Sequence, residues 1–340
     1  MAPRTKPKLA DIATMANVST ATVSRVLNGK PGASHDVRHA VLAALDQLGY
    51  ERPTALRTKT RGLVGVVVPE LRNPIFPAFA QSIESRLSAY GYTTLLCTQS
   101  PGGTTELQCV ELLLNQGVSG IIFVSGLHAD ATTSHEHYSD LAARGIALTF
   151  VNGHAPDIDG AFLATDDVTA IDACVRHLAA LGHRTVGLAI GPDRYTPSHR
   201  KIEAFRNASR GYLGDDDLDR HVVTSLFTVE GGHAATAQLL GSGHTAVICG
   251  SDLMALGAIR AVRSAGLDVP GDFSVIGYDD STMVAFVDPP LTTVHQPVGE
   301  LSAAAVTALI AEIDGNPTPH TELLFRPELI VRSSTGPAPA

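Results

Sequence analysis

No apolar run in the sequence is long enough to cross a membrane. The longest, Leu63–Val68 and Leu253–Ile259, each contain a glycine and fall far short of the roughly 20 residues a spanning helix needs. The basic N-terminus is followed by no apolar stretch of secretory type, because Asp11 interrupts the first candidate. There are only four cysteines, Cys97, Cys109, Cys174 and Cys249, with no C-x-x-C pair. That predicts free thiols in a reducing cytoplasm. Signatures of catalysis are missing too. Neither Gly191-Pro-Asp193 nor Gly231-Gly232 belongs to a GxGxxG turn or a phosphate loop, and no serine sits in a GxSxG elbow. Fourteen histidines invite a metal site, but His135-Glu-His137 lies in a polar stretch. The helical pair His35 and His39 lacks the glutamate of H-E-x-x-H and a nearby third ligand. These absences argue against an enzyme and a membrane protein. They predict no catalytic residue, no metal ligand and no cofactor.

What is present is a chain of 340 residues, 44% apolar and 17% charged, with 31 glycines, 20 prolines and a mean hydropathy of +0.12. That composition buries a sizeable core and suits two or three domains. Charge is unevenly spread. Residues 1–61 hold ten Lys/Arg against four acids, a net of +6, and the remainder holds fifteen bases against thirty acids, a net of −15. A basic head on an acidic body points to a polyanionic partner for the head alone, although a solvated basic arm would carry the same charge.

The head reads as helices. Leu9, Ile12, Ala13 and Ala16 recur at helical spacing, and Asn17-Val18 breaks the pattern. Ser19 is a good N-cap for a second helix, Thr20–Leu27, with Val23, Val26 and Leu27 on its apolar face. Ser34 caps a third, where Val37, Val41, Leu45 and Leu48 form one stripe and Gly49 ends it. Two short helices across a tight turn, with a third closing the core, is the helix-turn-helix arrangement. The outer face of the second helix carries Thr20, Ala21, Thr22, Ser24, Arg25 and, just past its end, Asn28. Arginine donates two hydrogen bonds to a guanine edge, Thr and Ala methyls contact thymine methyls, and Ser, Thr and Asn hold phosphates. A generic three-helix bundle with polar outer residues fits the same periodicity.

The run from Leu9-Ala-Asp-Ile-Ala through Val18-Ser-Thr-Ala-Thr-Val-Ser-Arg-Val-Leu-Asn28, with Gly49-Tyr50 closing the third helix, resembles the DNA-binding head of the lactose-repressor (LacI/GalR) family. The resemblance implies that Thr20, Ala21 and Arg25 read bases in the major groove of a double-stranded, palindromic operator. The linker departs from the family pattern. It lacks the usual Pro-Asn, is about three residues short of the usual length, and offers Leu56 as its only apolar candidate for a minor-groove wedge. A linker leucine packing on the body is the alternative.

From Gly62 short β-branched runs alternate with helical stretches. Leu63–Val68, Thr93–Cys97, Gly120–Val124 and Ile146–Val151 read as buried parallel strands, followed by a second set, Val186–Ile190, Val222–Phe227, Ala246–Cys249 and Phe273–Gly277. Two successive βα halves imply two doubly wound sheets with a cleft at the carboxyl ends of their strands. The expected organisation is a helix-turn-helix head over 1–50, a hinge over 51–61 and a two-lobed α/β core over 62–335. Lobe 1 is expected to comprise 62–163 and 292–322, and lobe 2 to comprise 164–291 and 323–335, with Leu291–Pro297 and a strand Leu323–Val331 crossing between them.

This core also resembles the effector-binding core of the same family, itself similar to periplasmic sugar-binding proteins. The motifs are Arg72-Asn-Pro-Ile-Phe76, His177-Leu-Ala-Ala-Leu-Gly-His183, Ser251-Asp-Leu-Met-Ala-Leu-Gly-Ala258, Ser274-Val-Ile-Gly-Tyr-Asp-Asp280 and Asp288-Pro-Pro-Leu-Thr-Thr293. The resemblance implies that Asp279 accepts hydrogen bonds from vicinal sugar hydroxyls and that Phe227, ending a strand, stacks on an apolar sugar face. Lys201 stands where most members carry an effector-binding arginine, so its single donor replaces a bidentate fork. Phe76, Ser125, Asn152 and Ser251 match other cleft positions, and Asp166 and Asp280 suit backbone capping. For each of these the alternative is a loop cap or a packing residue.

The acidic body argues against a highly anionic effector, but Arg194, His199, Arg200 and Lys201 lie close in sequence, and such a local basic cluster leaves a sugar phosphate open. Val18–Asn28, the loop from Asn28 to Gly32, Gly49–Pro53, Val124–Asp130 and His199–Glu203 most resemble the maltose regulators of actinobacteria, which implies maltose or a maltodextrin. The tail from Ser333 has no leucine heptad, so a homodimer is expected rather than a coiled-coil tetramer. The whole reading is a cytoplasmic, sugar-responsive transcription repressor.

Overall fold

The periodicity of the head becomes three helices, α1 (Leu9–Met15), α2 (Thr20–Leu27) and α3 (His35–Gln47), in a computed structural model of the protein. The structure describes residues 9–28, 33–48, 60–99, 102–214, 217 and 219–339. Two compact units result, Met1–Arg61 and Gly62–Ala340. In the first, Asn17 adopts φ 52° to make the turn between α1 and α2, and Val18 N–H returns to the Ala13 carbonyl at 3.0 Å. Asparagine tolerates this left-handed geometry better than other side chains with a Cβ. Ser19 Oγ then accepts from Thr22 N–H at 3.1 Å and starts α2. Ile12, Val23, Val41 and Leu45 are fully inaccessible and close the small core. Each contributes roughly 1.5–3 kcal/mol of burial.

The second unit begins with β1 (Gly62–Val68), α4 (Ile75–Ala89), β2 (Tyr92–Thr98), α5 (Glu106–Asn115), β3 (Val118–Val124), α6 (Glu136–Ala143), β4 (Ala147–Val151) and β5 (Ala161–Thr165). It continues with α7 (Asp167–Ala180), β6 (Val186–Ile190), α8 (Thr196–Leu213), β7 (Val222–Thr224), α9 (Val229–Gly241), β8 (Ala246–Cys249), α10 (Asp252–Ser264) and β9 (Ser274–Asp279). Last come β10 (Thr292–His295), α11 (Val298–Ile313), β11 (Glu322–Phe325) and β12 (Glu328–Ile330). The strands make two six-stranded sheets, ordered β11-β5-β4-β3-β1-β2 and β12-β10-β9-β8-β6-β7. Every pairing is parallel except β10 with β12. Each sheet is apolar on both faces, as helix-covered parallel sheets must be. Val64, Val66 and Val68 enter one cluster and Val67 the opposite one, while Ile276 and Tyr278 face away from Val275.

The all-α helix-turn-helix head and the two-lobed α/β core are as the sequence predicts. Strand membership near the C-terminus is not. Thr292–His295 belongs to the second sheet, in register with Ile276–Asp279, so lobe 2 and not lobe 1 holds it. The chain crosses afterwards, at Gln296-Pro297, and α11 packs on α4 and on β3, β4 and β5 of lobe 1. The expected strand Leu323–Val331 is two strands in different sheets, β11 beside β5 and β12 beside β10. Pro327 cannot donate to a ladder, and the chain changes lobes there. The expected strand to Phe227 stops at Thr224, which leaves Phe227 in the loop before α9. β5 and α11 were not expected at all. The run Ala161–Thr165 is short and does not alternate, whereas α11 carries a helical stripe, Leu301, Ala305, Val306, Leu309 and Ile310, opposite exposed Glu300 and Thr307, and was legible. Among the described residues no helix is long and apolar enough to cross a membrane.

Candidate functional site

Two sites merit building, one on each unit. On the head, α2 buries Val23, Val26 and Leu27 and turns its other side outward. Thr22 is committed to the N-cap, its hydroxyl 2.9 Å from Ser19 Oγ. Asn28 folds back at the other end, its amide donating to the Ser24 carbonyl at 2.7 Å and to Ser24 Oγ at 3.3 Å. Thr20, Ala21 and Arg25 are exposed. Leu56 lies outside the described residues.

On the second unit the informative residues gather at the carboxyl ends of the strands. Phe76 follows β1 and packs partly against the lobe 1 core. Ser125 follows β3 with φ 49°, and Asn152 follows β4 with φ 60°. Asp279 ends β9 with φ 120°, and Asp280 follows with φ 53°. Backbone strain of about 1–3 kcal/mol per residue persists only where surrounding structure over-determines it, and it concentrates at ligand sites. No sequence signal announces it. Phe227 lies over the ends of β6 and β8, so close that a Cβ on Gly191 would meet its ring at 1.9 Å and one on Gly250 at 3.1 Å. The two glycines are thus required by close approach, and the ring forms floor rather than strand end. Ser251 spends its hydroxyl capping α10 through Met254 N–H and is 2% exposed. Asp166 caps α7 through Thr169 N–H, and Asp280 holds Arg332 and His295.

Asp279 is the junction of the lobes. Its carboxylate accepts from Gln296 Nε2 at 2.7 Å and from Asn73 Nδ2 of lobe 1 at 3.4 Å. Gln296 in turn accepts from Thr165 Oγ1, at the end of β5, at 2.9 Å. One amide on the crossover therefore ties the two sheets together, and sequence reading missed both Asn73 and Gln296. Asn73 sits inside the recognised Arg72–Phe76 motif. Nothing marks Gln296, because its role depends on partners 17 and 131 residues away. Burial, reinforced by repulsion from Asp252, holds the Asp279 carboxyl well above its ordinary range despite these donors. Burial also pushes Asp252 up to about 6, against hydrogen bonds from Thr293 Oγ1 and Ser281 N–H. Lys201, expected to reach a ligand, instead places Nζ 2.6 Å from Asp167 and 4.3 Å from the Tyr278 ring centroid.

At one rim the lobes touch directly. Asp130 pairs with Arg194 at 3.0 Å, Ala131 N–H donates to the Arg194 carbonyl, and Thr196 Oγ1 donates to the His154 carbonyl. The loop bearing Asp130 is braced from within. Burial tends to raise the Glu106 carboxyl, but hydrogen bonds from His137, Tyr138 Oη and Leu127 N–H override it and hold it below its ordinary value. His135 takes Asp157, so His135 and His137 serve different partners. Among the described residues no three His, Cys, Asp or Glu side chains are grouped to hold a metal.

His128, in the same loop, is pushed down to about 4 by burial, although Glu106 and the Val151 carbonyl favour its charged form. The sign follows directly. The folded state holds this imidazole neutral, so its contribution is complete above the unfolded value of about 6.5 and is lost as pH falls towards 4. The loss amounts to about 3 kcal/mol, opposed in the intact protein by Asp252 and Asp279, both of which favour folding as they protonate. Urea unfolding of His128→Leu between pH 6.5 and 4 should therefore show an acid loss smaller than that of the parent by about 3 kcal/mol. An unchanged difference across that window removes His128 as the cause.

Comparison with known proteins follows the same division. Residues 8–53 match the profile of bacterial regulatory proteins of the lacI family, and residues 175–335 match a periplasmic binding protein-like domain. An HTH-type transcriptional regulator in the aml 5' region of Streptomyces limosus is 57% identical over 97% of this chain and 94% of its own. The HTH-type transcriptional regulator MalR of Streptomyces coelicolor is 53% identical over 98% of this chain and 97% of its own. Among solved structures, a transcriptional regulator CelR–cellobiose complex superposes with a TM-score of 0.72 at 28% identity, covering 96% of this chain and 99% of that one. The lac repressor dimer bound to operator and the anti-inducer ONPF gives 0.68 at 27% identity, covering 98% and 100%.

Proposed function

Because the chain belongs to the LacI family of bacterial transcriptional regulators, we propose that it is a homodimeric repressor that binds a palindromic operator and is controlled by maltose or a maltodextrin. The observation that carries this reading is the outer face of α2. Thr22, Ser24 and Asn28 are occupied with capping, and Thr20, Ala21 and Arg25 stand exposed beside them. Arg25 then supplies direct readout of guanine, while the small side chains leave methyl contacts and DNA shape to do the rest. Leu56 would act as the minor-groove wedge of the linker.

Dimerisation is supported by large apolar side chains left outside on lobe 2, where Leu226, Met283 and Phe286 are 65%, 67% and 80% exposed. A twofold pair of cores would present two heads to two half-sites. The effector would bind between Phe76, Ser125 and Asn152 on one side and Lys201, Phe227, Ser251 and Asp279 on the other. Binding there competes for Asp279 with Asn73 and Gln296, and so bears on the ties between the lobes. A sugar changes operator affinity only as far as it prefers one lobe arrangement. The MalR relative and the local resemblance of the segments support maltose or a maltodextrin.

The test is fluorescence anisotropy on labelled DNA from upstream of this gene and its neighbours, at two salt concentrations. Affinity should fall steeply with salt, as phosphate contacts require. Maltose, maltotriose, cellobiose, trehalose and lactose are then added separately, and release by maltose or maltotriose alone is expected. Tight, salt-sensitive binding that no sugar disturbs would sink the maltodextrin reading. Absence of any sequence-dependent binding would sink the repressor.

A further inference from the structure

The basic cluster that sequence places beside the cleft is discharged in three dimensions. Arg194 meets Asp130 at 3.0 Å, His199 meets Asp193 at 2.9 Å, Arg200 meets Glu322 at 2.8 Å and Lys201 meets Asp167 at 2.6 Å. Each of the four has a carboxylate of its own. Arg332, next to the crossover, is likewise held by Asp280 at 2.6 Å. Two further acids near Lys201 rest on neutral donors. Asp279 is held by the amides of Gln296 and Asn73, and Asp252 by Thr293 and Ser281. No surplus of positive charge is therefore left along the cleft, the reverse of what the cluster in the sequence suggests.

We infer that the cleft accepts uncharged ligands and excludes anionic ones, and that Asp167 sets this specificity by keeping Lys201 engaged. The inference rests on the proposal that the cleft is the effector site, and it names the charge class of the effector. Lys201 is held from two sides, by the Asp167 carboxylate and by the Tyr278 ring, and Tyr278 Oη donates to the same Asp167 oxygen at 2.7 Å. Lys201 and Asp167 are 7% and 6% exposed. Moving Lys201 to a phosphate would leave the buried Asp167 carboxylate with the Tyr278 hydroxyl and only the more distant Arg200 guanidinium, which Glu322 already holds, and a buried charge without a close partner is strongly disfavoured. Anion sites work the other way, by offering donors that no protein acid already occupies. Hydroxyl-rich neutral ligands need no such surplus. They can use Asp279 and the amides around it without breaking an ion pair.

The experiment has two arms on the full-length protein. In the first, thermal unfolding is followed in sodium phosphate and in sodium chloride of equal ionic strength for the parent, Asp167→Asn and Asp167→Asn/Lys201→Met. Phosphate held by the basic head affects all three alike, so the comparison isolates the cleft. A phosphate-dependent rise in Tm of a few degrees is expected in Asp167→Asn beyond the parent, and its disappearance in the double variant. Equal phosphate dependence in the parent and Asp167→Asn overturns the assignment of Asp167. In the second arm, calorimetry compares maltose with maltose 6′-phosphate and trehalose with trehalose 6-phosphate on the parent, a measurement that stands even where the variant fails to fold. Binding of each phosphorylated sugar at least a hundredfold weaker than its own neutral counterpart is expected wherever the neutral one binds. Equal or tighter binding of the phosphorylated sugar overturns the exclusion of anions. Should no neutral sugar bind while the first arm behaves as expected, the proposed sugar response falls and the anion exclusion stands.

Discussion

Arg25→Ala is expected to abolish specific operator binding at protein concentrations that saturate the parent, while leaving sugar binding unchanged. Arg25 is exposed on the outer face of α2, where truncation removes no core packing. In the proposed role it would donate two hydrogen bonds to a guanine edge, about 1–3 kcal/mol of discrimination per contact. The proposed dimer would make the contact twice, so about 2–6 kcal/mol is at stake, from about thirtyfold to more than a thousandfold in Kd. The salt dependence should flatten only slightly, because most phosphate contacts survive. Anisotropy on operator and scrambled DNA separates the two contributions. Retained discrimination between them would move base reading away from α2.

Asp279→Ala should have the complementary phenotype, with operator binding intact and release by sugar lost. The carboxyl accepts from Gln296 and Asn73 in the unliganded chain, and a bound sugar would present hydroxyls to the same oxygens. Removing an acceptor of two hydrogen bonds costs about 0.5–1.5 kcal/mol for each bond to an uncharged carboxyl, a loss of about fivefold to more than a hundredfold in ligand affinity. Calorimetry with maltose measures that loss, and anisotropy of the operator complex measures the response. Asp279→Asn is the informative companion. Burial keeps the parent carboxyl well above its ordinary range, so an amide of the same shape should preserve the fold and part of the affinity. Full induction of Asp279→Ala by sugar would place the pocket elsewhere.

Much of this protein is legible without coordinates. Helices with a serine cap and an apolar stripe, such as Thr20–Leu27, announce themselves because capping and periodicity act within a few residues. The buried strands Gly62–Val68 and Val186–Ile190 do so because a short β-branched run between helical stretches has few other uses. The strands that were misplaced, Thr292–His295 and the pair around Pro327, are those whose place depends on which sheet edge receives them. A short apolar run fits either edge equally well.

The site divides in the same way. Sequence by itself determined the basic head, the exposed outer face of α2, the two lobes and the aspartate at the end of β9, since motif and local pattern carry all of them. Only the tertiary structure decided that Ser125, Asn152 and Asp279 sit at strained backbone positions, that Gln296 ties β5 to β9, and that the basic cluster around Lys201 has no charge to spare. Arg200 finds its carboxylate 122 residues away, and Asp279 its amide from lobe 1 across 206. A charge is free or spent according to what the fold brings within about 4 Å of it, and no spacing along the chain records that distance.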